Sequence, residues 1–164
     1  MAGIKTMNSI YKEIFDYVKS LEIIDTHEHL PPYEKSRDKD TDVLKEYLIH
    51  YFSRDLISAG LKHKDFNKAI NSRLPLMERW EVVAPYWEFA RNTGYGRCLD
   101  ISVKALYGIE NISGSTIEQL NEAFLKSITE AHYNKVLKEK SNIRVSILDK
   151  TIDCDRNFFR PVCH

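Results

Sequence analysis

A long helical stretch between the first and second strand patterns is the feature that most constrains the fold of this chain. From Thr41 to about Lys140, apolar residues recur at helical spacing. A short β-branched run at 22–27 precedes this stretch, and strand patterns follow it at 142–148 and 157–162. We therefore predict an α/β protein with a large helical insertion after its first strand.

This pattern also predicts how the chain divides. Residues 1–40 and 141–164 are expected to form the sheet portion, and residues 41–140 the inserted helical subdomain. An amphipathic helix at 8–21 leads into the first strand, because its apolar side chains share one helical face. With only three strands, the sheet would leave open edges that can pair with another chain.

Proline and glycine positions predict where helices of the insertion begin and end. One helix is expected to begin at Pro75 and to end near Gly94. Pro85 lies inside it and should kink or split it, since proline removes one helical hydrogen bond. A second amphipathic helix is expected from Ile117 to Ala131.

The segment Leu21–Pro32 carries two histidines one residue apart, at the end of the first strand pattern. Side chains at i and i+2 of a strand share a face, so His27 and His29 project together and Glu28 projects away. Two neutral imidazoles that converge from one strand end form a suitable half-site for Zn²⁺ or a similar divalent metal. Asp25 shares their face and is a candidate acceptor for an imidazole N–H, which would orient the ring. The alternative interpretation is a polar loop after a strand.

Arginines in the helical stretch are a second group of candidates, because a guanidinium can bind a substrate carboxylate through two parallel hydrogen bonds. Ion pairs with neighbouring acidic residues are the alternative use for them. The arginines concerned are Arg54, Arg79, Arg91 and Arg97.

Charge and composition argue against several classes of function. The 24 basic residues balance 24 acidic residues, so the chain lacks the electrostatic footprint of a nucleic-acid-binding protein or of a polybasic membrane-binding protein. No apolar run approaches the ~18 residues of a transmembrane helix. Three cysteines, Cys98, Cys154 and Cys163, form no C-x-x-C pair, which favours a reducing cytoplasm over a disulfide framework. We therefore predict a cytoplasmic protein that binds neither nucleic acid nor a membrane.

The segment Ile23–Leu30, IIDTHEHL, resembles the first-strand signature of the amidohydrolase superfamily. Members of this superfamily are metal-dependent enzymes on a (β/α)₈ barrel, and the resemblance implies that His27 and His29 are metal ligands. A large helical insertion directly after the first strand is similar to the layout of the uronate isomerase branch. The segment Trp80–Gly108 is also faintly similar to the insertion of those isomerases. The implied fold is a partial TIM-type barrel that contains the first strands only.

The resemblance further implies ligands that this chain does not supply. Members of the superfamily take additional histidines and an aspartate from strands late in the barrel, and His164, after the third strand pattern, matches none of those positions. The chain is therefore expected to be an N-terminal part of such an enzyme. With two convincing ligands instead of the three usual at catalytic zinc, it is expected to show no turnover alone.

Three functions follow as expectations. The first is hydrolysis of a small molecule by metal-activated water, with a divalent metal, zinc, as the cofactor. The second is aldose–ketose isomerisation of a uronate, in which the metal would hold the sugar acid. The third is a non-catalytic fragment or binding module that binds at most a metal.

Overall fold

The computed structural model describes residues 7–129, 131–149 and 153–162. These form two compact units. The sheet unit combines the described residues up to Arg37 with those after Thr129, and the helical unit runs from Asp38 to Thr129. The chain is therefore an α/β protein, as the sequence predicts. The segment 131–140, which the sequence pattern placed in the insertion, lies in the sheet unit.

The sheet unit is built on three parallel strands in the order β1-β2-β3. Its elements are helix α1 (Met7–Ser20), strands β1 (Ile23–Glu28), β2 (Ile143–Leu148) and β3 (Phe159–Pro161), a 3₁₀ turn (Glu34–Ser36) and a π-helical segment (Asn134–Lys140). All three strands lie where the alternating patterns predict them, and β3 is the shortest.

Strand register aligns the carboxyl ends of the three strands. Ile23 pairs with Ile143 at the beginning of β1 and β2, and Glu28 pairs with Leu148 at their ends. Leu148 in turn pairs with Pro161 of β3. Residues that follow each strand therefore meet at one edge of the sheet, which we call the carboxyl edge.

Tyr133 is the centre of the small core of the sheet unit. It is 2% exposed, and its ring packs edge-on against Phe158 and Phe159 at centroid distances of 5.8 and 5.6 Å. Its hydroxyl donates a hydrogen bond of 3.0 Å to the carbonyl of Pro31. The core therefore fixes the loop that leaves β1.

Helix α1 confirms the predicted amphipathic helix, but its side chains at 8–20 are all exposed. Its 14 residues are fewer than the ~20 that span a bilayer. Within the described parts of the chain, no helix combines the length and the apolar character needed to cross a membrane.

The helical unit packs the apolar faces of its helices around one core, with Leu56, Val83 and Trp87 at its centre. Its elements are α2 (Val43–Leu48), α3 (Phe52–Ser58), α4 (His63–Ala69), α5 (Leu76–Ala90), α6 (Gly94–Tyr107) and α7 (Ile117–Lys126).

Two of the expected helix boundaries are wrong. Pro85 does not split helix α5, which is continuous over 15 residues. It ends at Ala90, and Gly94 begins the next helix instead of ending this one. Helix α7 ends at Lys126, five residues before the position that its apolar spacing suggests.

The turn between α5 and α6 explains why α5 ends before Gly94. A Cβ atom on Gly96 would lie 2.5 Å from the Ala90 carbonyl oxygen, so only glycine permits this close approach. Thr93 caps α6, because its hydroxyl accepts a hydrogen bond of 3.2 Å from the Gly96 N–H. Gly94, Tyr95 and Gly96 therefore form the first turn of α6, packed closely against the end of α5.

A buried ion pair between Arg79 and Asp42 connects three helices of this unit. Arg79 is 1% exposed, and its guanidinium binds both carboxylate oxygens of Asp42. It also donates to the carbonyls of Ala69 and Leu74, at 3.2 and 3.1 Å. Asp42 additionally caps α2 by accepting from the Lys45 N–H at 3.0 Å. Arg79 thus has a structural role and is not available to a substrate.

We expect Arg79→Met to reduce the free energy of unfolding by about 3–5 kcal/mol, because it leaves the buried carboxylate of Asp42 without a counter-ion. Urea unfolding followed by circular dichroism measures the change. Lys104→Met is the matched control, since it breaks an exposed pair with Glu110 and should cost less than ~1 kcal/mol. Equal effects of the two substitutions would contradict the role assigned to Arg79.

We expect Tyr133→Phe to destabilise the protein by ~1 kcal/mol at neutral pH through loss of the bond to Pro31. Burial is the main cause that raises the pKa of Tyr133 above its usual value of 10.0. Ionisation in the unfolded chain therefore removes stability from the wild type as pH rises above about 10, and phenylalanine cannot ionise. In urea titrations, the difference in free energy of unfolding between the wild type and Tyr133→Phe should narrow above that pH. A difference that stays constant with pH would contradict this account.

Candidate metal centre

His27 and His29 come together at the end of β1. The strand ends at Glu28, so His27 is its penultimate residue and His29 is the first residue of the loop. Their Nε2 atoms are 2.9 Å apart, and their rings are nearly perpendicular, at 89°, with centroids 4.5 Å apart. Both side chains are exposed. The structure therefore brings together the two imidazoles that the His-x-His spacing singles out.

Carboxylates on either side of His27 support the main chain at this point. Glu28 accepts hydrogen bonds from the backbone N–H groups of His29, at 2.6 Å, and Leu30, at 3.1 Å. Asp25 accepts from the backbone N–H of His27 at 3.2 Å. Within the described residues, Asp25 makes no hydrogen bond to a histidine ring, so it supports the backbone of a candidate ligand and not the ring itself.

Asp149 is a third candidate ligand, which the sequence analysis missed. It follows β2 directly, and its backbone N–H donates a hydrogen bond of 3.0 Å to the Glu28 carbonyl, continuing the pairing of the two strands. One ligand atom from each of His27, His29 and Asp149 lies within 4.8 Å of the others. Its position immediately after the strand pattern at 142–148 was the available signal.

The donor set fits a divalent metal. Two imidazoles and one carboxylate occur at catalytic zinc sites, where the fourth position stays open. Ligand nitrogens ~2.0–2.1 Å from a tetrahedral ion lie about 3.3 Å apart. The two Nε2 atoms, at 2.9 Å, therefore need to separate by only a few tenths of an ångström. Asp149 has to approach by at most about 1.5 Å, which lies within the reach of side-chain rotation.

Hydrogen bonds connect the loop after β1 with the loop before β3 at the carboxyl edge. The carbonyl of Pro32, in the loop after β1, accepts a hydrogen bond of 2.9 Å from the backbone N–H of Asp155, in the loop before β3. A hydrogen bond with Asp153 raises the pKa of Tyr33 and links the same two loops. Two segments that are distant in sequence are thus tied together at the carboxyl edge.

The other sequence candidates do not join this cluster. His50 and His63 are exposed residues of the helical unit, and His132 is partly buried in the sheet unit. His164 and Cys163 lie outside the described residues. Arg91 pairs with Asp100 and Glu88, whereas Arg54 and Arg97 form no ion pair within the described residues.

Comparison with known proteins adds no further identification of this site. No protein-family model matches the chain, and a search of curated proteins gives no match. The case for the candidate metal centre therefore rests on the chemistry and geometry of its own residues.

We expect the chain to bind one Zn²⁺, and His27→Ala and Asp149→Asn each to weaken binding by more than the ~10–100-fold typical of a residue that only supports a ligand. Isothermal titration calorimetry measures the affinities. His63→Ala and Asp65→Asn, on helix α4, are matched controls that should bind like the wild type. Wild-type affinity in the Asp149 variant would remove this residue from the ligand set.

Proposed function

We propose that this chain holds a catalytic divalent metal, zinc, at His27, His29 and Asp149, and that it belongs to a metal-dependent enzyme that hydrolyses a small molecule. The observation that carries this proposal is the convergence of two imidazoles and one carboxylate within 4.8 Å at the carboxyl edge of a parallel sheet. Ligand sites of open α/β sheets and of (β/α) barrels occur at this edge.

His27, His29 and Asp149 would hold a divalent ion, which would act there as a Lewis acid and make a water molecule more acidic. The chain's own residues determine access and orientation. Exposure of both histidine rings gives a small molecule a direct approach. Glu28 is committed to two backbone N–H groups of the following turn, so we assign it to positioning the loop and not to proton transfer.

The third ligand changes one expectation from the sequence. Absence of turnover was expected because only two ligands were apparent. With Asp149 the set has three protein donors, the usual number at catalytic zinc, so turnover by the chain itself becomes the direct test. Isomerisation of a uronate and metal binding without catalysis are the alternatives that this test separates.

Two broader features accompany the proposal. We propose that the parallel sheet is the first part of an amidohydrolase-type barrel, which the strand direction and the position of the ligands support. We also propose a cytoplasmic location for the protein. Cys98 and Cys154 are free thiols, as a reducing compartment would keep them.

We expect the zinc-loaded chain to hydrolyse p-nitrophenyl acetate or a simple amide faster than the same chain treated with EDTA, and readdition of Zn²⁺ to restore the rate. His27→Ala should lower kcat/KM by more than ~100-fold, since it removes a ligand. His63→Ala should retain the rate, because His63 lies on α4 in the helical unit.

D-glucuronate is assayed in parallel, with ketose formation as the readout. If the chain turns over D-glucuronate but neither the ester nor the amide, isomerisation takes the place of hydrolysis as the proposed function. Tight zinc binding without turnover of any of these substrates would favour the binding module.

A further inference from the structure

An apolar stripe runs along helix α1 and is exposed to solvent. Its central row consists of four residues at intervals of four, three and four: Ile10, Ile14, Tyr17 and Leu21, the last of which directly follows the helix. Tyr11 and Val18 lie beside this row, and the six side chains are 42–68% exposed. The groove along Ile10, Ile14 and Tyr17 is lined by residues of α1 alone. We call these six residues the α1 stripe.

A helix of this length depends on a partner for its stability. Isolated helices shorter than ~12–15 residues are marginal in water, and α1 has 14 residues. Most helices in proteins are stabilised by the packing of an apolar face. Contiguous apolar patches larger than a few hundred Å² on a soluble protein mark interaction sites. The α1 stripe therefore has the character of a surface that a partner covers.

The spacing of the central row fits a second helix with the same pattern. Alternating intervals of four and three residues are those of the core positions of a coiled coil, in which each helix inserts its side chains into gaps of the other. A second copy of this chain supplies such a helix. Its row is complementary to that of the first copy across a two-fold axis.

The residues that flank the row favour an antiparallel pair. Glu13 and Ser20 lie on one side of the row, whereas Tyr11 and Val18 lie on the other. In an antiparallel pair each side faces the same side of the second helix, so Glu13 lies beside the second Ser20 and Tyr11 packs on the second Val18. A parallel pair would place Glu13 against the second Val18, where a carboxylate has no polar partner.

The exposed area of the α1 stripe is sufficient for a dimer. Large apolar and aromatic side chains have ~150–250 Å² of surface each, so the exposed parts of the six amount to roughly 500–800 Å². Two copies would then bury about 1,000–1,600 Å² together. A specific protein–protein interface is expected to exceed about 1,000 Å².

The charges of α1 argue against a membrane as the partner. Helices that lie on a membrane surface carry an excess of Lys and Arg on their polar face. In α1, Lys12 and Lys19 are balanced by Glu13 and Asp16, and Lys12 forms an ion pair of 2.7 Å with Asp16. A face with balanced charges suits the water-exposed outside of a helix pair.

We propose that α1 pairs with α1 of a second copy of this chain, antiparallel across a two-fold axis, and that the α1 stripe is the dimer interface. Near the centre, Ile14 of each copy packs against Tyr17 of the other. At each end, Ile10 of one copy packs against Leu21 of the other. The dimer requires no metal.

Sedimentation equilibrium of the full chain tests the dimer, with EDTA present so that a metal shared between two copies cannot produce one. We expect a mass twice that of the chain at ~100 μM, because interfaces of this area bind with μM affinity or better. Ile14→Glu should raise the dissociation constant about 100-fold or more, since two carboxylates would be buried at the centre of the interface. Ile101→Glu, on α6, is the matched control, because Ile101 is 60% exposed and Ile14 58%.

A wild-type chain that stays monomeric at this concentration would overturn the proposal. So would a dimer that Ile14→Glu leaves intact, or one that Ile101→Glu weakens equally.

Substitutions at Ser20 test the antiparallel direction and leave the α1 stripe unchanged. Ser20→Lys places a cation beside Glu13 of the second copy, so it should lower the dissociation constant about two- to tenfold, and added salt should reduce this effect. Ser20→Glu places a second carboxylate there and should raise the dissociation constant. Equal dissociation constants for the two variants would overturn the antiparallel pair.

Vesicles of phosphatidylcholine and phosphatidylserine in equal parts test the membrane as a partner. We expect the wild-type dimer not to sediment with them, because its apolar stripe is already covered. Sedimentation of a monomeric wild type with the vesicles, abolished by Ile14→Glu, would assign the stripe to a lipid surface and overturn the dimer.

Discussion

Parallel pairing of β1 with β2 is the constraint on which the candidate site depends. Parallel strands place their carboxyl ends at one edge, and the register from Ile23–Ile143 to Glu28–Leu148 aligns those ends. His27 and His29 therefore arrive beside Asp149, although over a hundred residues separate them in sequence. An antiparallel pairing would bring the end of β1 to the beginning of β2, and the three donors could not meet.

The pairing of β1 with β2 joins two segments that are distant in sequence. The folded structure of the residues between them favours this pairing. A flexible loop of such length would add to the entropic cost of closing the sheet and would slow its formation. Residues 38–129 instead form their own compact unit, with a core and a buried ion pair between Arg79 and Asp42. Because these residues are already ordered among themselves, they do not behave as a flexible loop.

The sequence predicted the elements of the sheet better than their arrangement. Alternation and β-branched residues located all three strands, since half-buried strands carry these features locally. Strand direction and register depend on contacts between distant residues, which periodicity does not encode. Pro85 shows the same limit of local patterns: proline is disfavoured within a helix, yet α5 is not split there and has Trp80, Val83 and Trp87 buried in the core.

The candidate site shows the same difference between features that are local in sequence and features that depend on distant contacts. Two histidines at i and i+2 were identified because their relationship is local to one strand. Asp149 was missed because its proximity is a property of the sheet.

The contact between the two histidines has a consequence for metal binding. A hydrogen bond of 2.9 Å between the two Nε2 atoms requires a hydrogen on one of them, whichever ring carries it. A metal needs a lone pair on both Nε2 atoms, so the donating ring has to move its hydrogen to Nδ1. Metal-ligating histidines normally donate that Nδ1–H to a carboxylate or carbonyl, yet Asp25 is bound to the backbone of His27. Metal binding at this site therefore exchanges one hydrogen bond of ~1 kcal/mol for two metal–nitrogen bonds, and it exposes one N–H that water can accept.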